Sequence, residues 1–140
     1  MANYEIRKYQ EFDRQAILAF LSKVMDIDGI DWDIVKNASL IFESGQVAGM
    51  VSYEKIEDYG VIRYFIYNHY SLPDLLVNMF FSLYAEAKKE GVNRLVALVA
   101  NPHAYQLFEM LGFKEINKGE EFQLPYFSGM ESASVLTISL

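Results

Sequence analysis

Apolar positions along the chain recur with two different periods, and the places where the period changes mark the elements. Leu95 to Ala100 is an unbroken apolar run between polar residues. It is too short to cross a membrane and reads as a strand buried on both faces. Ala104, Leu107, Phe108 and Leu111 then repeat at helical spacing. Asn101 sits where this helix needs an N-cap, Pro102 at the first position, and Gly112 at the left-handed stop. Phe113 follows the stop and can fold back on the last turn.

The same two periods organise the rest. Tyr4 to Tyr9 alternates and predicts an edge strand, and Phe12 to Met25 carries Ile17, Leu18, Phe20, Leu21 and Val24 at helical spacing. Asp31 is placed to cap a short helix from Trp32 to Asn37. Ser39 to Glu43 and Val47 to Lys55 predict two strands joined by the tight turn Ser44-Gly45-Gln46. Tyr59 to Tyr67 is rich in aromatic and β-branched residues, a third strand. A long helix follows from about Leu72 to Glu90, ended by Gly91. Beyond the opening stretch come a strand over Lys114 to Asn117, a loop from Leu124 to Gly129, and an alternating strand from Val135 to Leu140. The order βααββββαβαββ, give or take one strand, predicts an α/β fold: a central mixed sheet of about six to seven strands with helices on both faces.

The long helix carries a wide apolar stripe of Leu72, Leu75, Leu76, Met79, Phe80, Leu83, Tyr84 and Ala87, opposite Asp74, Asn78, Ser82 and Glu86. A deeply buried helix accounts for this stripe. A homodimer surface is the sharper alternative.

Composition narrows the chemistry. The 140 residues predict a single domain over 1–140, and an apolar fraction of 52% with ten Tyr and ten Phe excludes disorder. No cysteine is present, which removes disulfides, thiolate metal sites and cysteine nucleophiles. A formal charge of −7 disfavours nucleic acid and anionic membrane as partners and suits an amine ligand. The start of the chain has no apolar signal core and no run reaches membrane-spanning length, so a cytoplasmic location is expected. Four aspartates and a glycine crowd Asp26 to Asp33, but Gly29 falls at the fourth position of a calcium loop and Asn37 at the twelfth, where glycine is needed sixth and glutamate twelfth. That segment reads as a solvated connection. No metal site, glycine-rich phosphate motif or Ser-His-Asp order is apparent.

The pattern Asn101-x-x-Ala104-x-x-Leu107, with Glu109, Leu111, Gly112 and Phe113, resembles the final βα unit of the GNAT N-acetyltransferase family. That resemblance implies a GNAT-like domain that moves an acetyl group from acetyl-CoA, as co-substrate, to a primary amine of a small molecule or protein. It implies that the strand Tyr59 to Tyr67, through Phe65, Ile66 and Tyr67, holds the pantetheine arm. The turn from Ser71 to Leu76 would face the pyrophosphate, and Asn101 and Phe108 would border the cofactor. The connection between the first two helices would border the acceptor, where its aspartates could attract a protonated amine.

Three positions depart from the family pattern. The turn Ser71-Leu72-Pro73-Asp74-Leu75-Leu76 has no glycine and no basic residue. Ser71 and Asp74 there form a capping box, which puts a carboxylate where a pyrophosphate would lie. Gly60 stands about where the family often has a glutamate base. Phe108 replaces the tyrosine that protonates the departing thiolate. His69 is a candidate base; Tyr70 and Tyr105, and also Tyr67, are candidate acids, while His103 reads as a capping or surface residue. The alternative is a catalytically inactive GNAT-fold binding or regulatory module that no longer holds CoA in the usual way. A weaker third reading encloses an apolar or amine ligand under Tyr126-Phe127. An open cleft between the strands at Tyr64 and Val96 would favour the enzyme, and a cleft plugged by aromatics such as Tyr67 and Tyr70 would retire it.

Overall fold

The protein is described by a computed structural model, which covers residues 3–24, 26–68, 73–116 and 134–140. The strands are β1 (Tyr4–Lys8), β2 (Ser39–Glu43), β3 (Gln46–Ile56), β4 (Tyr59–Tyr67), β5 (Arg94–Val99), β6 (Lys114–Ile116) and β7 (Ser134–Ser139). The helices are α1 (Arg14–Leu21), α2 (Trp32–Val35), α3 (Pro73–Lys89) and α4 (Pro102–Met110). All seven strands form one sheet in the order β1-β2-β3-β4-β5-β7-β6. Every neighbouring pair is antiparallel except β4 with β5, which run parallel. The predicted mixed sheet is present, with β1 at its edge. Three strands, not four, lie between α2 and α3.

Alternation on β2 divides the core. Ile41 packs with Val51, Tyr53, Met79, Phe80 and Leu83 beneath α3 and α4, while Leu40 and Phe42 pack with Ile17, Leu21 and Val35 beneath α1 and α2. Helices therefore cover both faces. The main stripe of α3 is spent on the first core: Leu76, Met79, Phe80, Leu83 and Ala87 are buried there, and Phe81 beside them is 57% exposed.

The turns follow the local chemistry. Ser44 and Gly45 take φ of 50° and 84° between the paired Glu43 and Gln46, the two-residue hairpin whose twist matches the strands. Gly112 adopts φ 100°, its N–H bonds the Glu109 carbonyl, and the Phe113 N–H bonds the Phe108 carbonyl at 3.0 Å. These two bonds are a Schellman cap, closed by the Phe108 and Phe113 rings at 5.0 Å. The first helix is shorter than its periodicity predicts. Asp13 accepts the Gln10 N–H and two bonds from the Arg7 guanidinium, each at 2.7 Å, so residues 11–13 form a 3₁₀ turn and the α-helix starts at Arg14. α2 likewise ends at Val35, where the Asn37 side chain donates to the Tyr53 carbonyl instead. No helix among the described residues is long and apolar enough to cross a membrane.

Candidate active site

The sheet opens at its one parallel pair. β4 and β5 are paired only at Tyr59–Arg94, Gly60–Leu95 and Val61–Val96. Beyond that, residues 62–67 stay on β3 up to Tyr67–Gly49, while β5 follows β7 up to Val99–Ser134. The two strands splay apart. A bulge accompanies the splay: Ser52 faces Arg63 and Met50 faces Ile66, so two residues of β4 oppose Val51 alone. Tyr64 takes φ 60° there, a conformation that side chains rarely adopt. Ile62 and Phe65 consequently point into the core under α3, while Tyr64 and Ile66 pack on the α1 and α2 side.

Tertiary contacts hold the bulge. The Tyr64 hydroxyl accepts the Asp31 N–H at 2.9 Å and makes a long 3.5 Å bond to the Gly29 carbonyl, which fixes the connection between α1 and α2 against β4. The buried Ser52 hydroxyl donates to the Ile34 carbonyl of α2. Arg63 pairs with Glu54 at 3.3 Å. A cavity of about 190 Å³ lies in the splay, lined by Ile62, Arg63, Tyr64, Phe65, Ala97, Leu98 and Phe108. Its aromatic floor is Phe65, edge-on to Phe108 at 5.7 Å and to Phe80 at 5.0 Å, with Tyr67 stacked behind it at 5.1 Å.

No family model matches the sequence, and no curated protein does. Solved structures do match. The acetyltransferase of the GNAT family from Streptococcus pneumoniae superposes with a TM-score of 0.70 at 18% identity, over 99% of each chain. Ribosomal-protein-S18-alanine N-acetyltransferase from Escherichia coli gives 0.67 at 17%, over 98% of this chain and 94% of that one. N-acetylglutamate synthase from Neisseria gonorrhoeae, complexed with coenzyme A and N-acetyl-glutamate, gives 0.74 at 19% over 100% of this chain. This chain spans only 36% of that synthase. The fold is that of the GNAT acetyltransferases.

Within this GNAT fold the candidate residues separate. Phe65, Ile66 and Tyr67 lie on the far arm of the splayed β4, and Phe108 lines the splay as a buried ring. Leu76 is a residue of α3 itself, buried in the main core. The Asn101 side chain caps α4 by accepting the Ala104 N–H at 2.8 Å. His69, Tyr70, Ser71 and Leu72, and with them the Ser71–Asp74 capping box, lie outside the described residues, as do Asn117 and the loop holding Tyr126 and Phe127. From Pro73 to Leu76 there is no glycine or cation, and Asp74 is exposed in the first turn. That first turn suits an anionic phosphate poorly.

Tyr105 sits apart from the splay. Its hydroxyl donates to Glu115 of β6 at 2.7 Å, and it borders a separate cavity with Asn101, Gln106 and Glu109. The bond to Glu115 raises the Tyr105 pKa, so this phenol holds its proton more firmly than a free one. Gly60 leaves no vacancy for a carboxylate. A Cβ there would meet the Tyr53 ring at 2.8 Å and a Leu95 methyl at 2.9 Å. The sequence places Tyr64 at the cleft, but nothing local marks it for positive φ or singles out Arg63 beside it. No group of three or more His, Asp or Glu suited to a metal occurs among the described residues.

Proposed function

We propose that this protein transfers an acetyl group from acetyl-CoA to a primary amine. The observation that carries the reading is the open splay at the Tyr64 bulge. A strand paired on one side only offers its other row of peptide groups to an extended ligand, as an added strand would use them. The pantetheine arm fits that role along residues 62–67, with Phe65 and Phe108 as the apolar wall beside the thioester. Peptide N–H groups at the splay would stabilise the oxyanion as the amine attacks the thioester carbon. The C–N bond forms, the C–S bond breaks, and the amine proton leaves as the thiolate is protonated. The acceptor would enter from the α1 and α2 side, where Asp26, Asp28, Asp31 and Asp33 give a field that concentrates a protonated amine. His69 and Tyr70 are the proposed proton carriers, with Tyr105 the poorer donor because of Glu115.

One observation favours the inactive binding module instead: the exposed Asp74 in the first turn of α3, without glycine or cation. Calorimetric titration with acetyl-CoA separates the two. Under the enzyme reading the wild type binds, and Asp74→Asn binds about two- to fivefold tighter, the scale of one charge at a helix N-terminus. Absence of binding in both proteins would sink it.

A further inference from the structure

A third and larger cavity, of about 590 Å³, opens between the end of α1 and the β2–β3 hairpin. Its size lies within the ~300–1,000 Å³ common for small-molecule sites. Phe20, Val24, Val47 and Ile66 supply an apolar surface, and two opposite charges, Lys23 and Glu43, stand on its walls. Neither charge has an ion-pair or hydrogen-bond partner among the described residues, and Glu43 is half-buried. Flexible side chains of opposite sign on one cavity would ordinarily pair if they could meet. Lys23 and Glu43 form no ion pair across the cavity, so a ligand that satisfies both must itself carry two opposite charges. The space also continues along α1 into an adjoining cavity of about 190 Å³, where Ala16, Ala19 and Gly45 are too small to close it. The occupant is therefore elongated.

We propose that this groove binds a zwitterion with an apolar body, about the size of a dipeptide, its ammonium toward Glu43 and its carboxylate toward Lys23. Two extended residues span about 7 Å, enough to reach one charge with each end of the molecule. The apolar side chains would lie on Val24, Val47 and Ile66. This site does not depend on acetyl transfer and can be tested without acetyl-CoA.

The test is calorimetric titration with L-leucyl-L-phenylalanine, its N-acetyl derivative and its C-terminal amide. Each derivative removes one charge and keeps the body. Lys23→Ala is a surface change and Glu43→Gln keeps the shape of a half-buried side chain; circular dichroism would verify the folding of both. The expected result is binding of the free dipeptide, weakened about tenfold or more by either variant and by either derivative, the scale of a charged hydrogen bond. In addition, the acetylated dipeptide should not distinguish Glu43→Gln from wild type, nor the amide Lys23→Ala. No binding of the free dipeptide at millimolar concentration would overturn the proposal. So would equal binding of the three compounds, or affinity indifferent to both substitutions.

Discussion

Asp13 is 3% exposed, yet it carries a charge because Arg7 reaches it with both guanidinium nitrogens. The Arg7 bonds, with help from the Gln10 N–H and against the cost of burial, hold its pKa below the ordinary 3.8. Asp13→Asn should destabilise the fold by about 2–4 kcal/mol at pH 7, somewhat less than the ~3–5 kcal/mol of breaking a fully buried pair, since Arg7 is partly solvated. A depressed carboxylate stabilises the fold above its unfolded pKa and stops doing so as pH falls through the folded one. Urea unfolding should therefore show the gap between wild type and variant narrowing as pH drops below 3.8. A gap independent of pH would mean that Asp13 acts by shape alone. Gly60 makes a second residue-scale point. In the sequence it looks like a lost catalytic base; in the fold it is the slot that Tyr53 and Leu95 fill. Gly60→Ala should lower stability by about 1–3 kcal/mol through overpacking, read as a fall in melting temperature. An unchanged melting temperature would show that the Tyr53 ring yields freely.

At the scale of elements, α4 was fully legible and β4 only half so. Asn101, Pro102, Gly112 and Phe113 each act within a few residues of one another, so their order in the chain already specifies both ends of the helix. The composition of β4 marks it as a strand, but its bulge depends on Ser52, Ile34 and Asp31, which lie 12 to 33 residues away from Tyr64 or belong to other elements. Tyr64→Phe tests that dependence. It leaves the ring on α1 and α2 but removes the acceptor of the Asp31 N–H, at a cost of about 1 kcal/mol. Hydrogen exchange should accelerate at Asp31 and leave the ladder residues of β2 protected. Unchanged exchange at Asp31 would show that the cap of α2 needs no help from β4.

For the whole molecule, element order could be read because each period change is local, whereas the splay could not, because it is a disagreement between two ladders. β4 is held by β3 and β5 by β7, and each half of the sheet satisfies itself. The cleft is the place where no pairing bridges them. Such a design works only if each half is rigid on its own, and Tyr53 reports on that rigidity for the β3 side. It is buried between β3 and α3 in the main core, and burial pushes its pKa up to about 12. Tyr84, bonded to the Leu111 carbonyl across α3 and α4, is pushed up as well, again by burial. Groups with raised values stabilise the fold fully below their unfolded pKa near 10 and cease to do so as pH rises through the folded value. Spectroscopic titration of the ten tyrosines should therefore show a late phase, above the ordinary tyrosine range, that includes Tyr53. Tyr53→Phe should delete part of the late phase only. Because the core must open for Tyr53 to ionise, the late phase should coincide with loss of the far-ultraviolet circular dichroism signal. If Tyr53 instead titrates early, with helix and sheet signals intact, the core under α3 is wet, and the splay is not set between two rigid half-sheets.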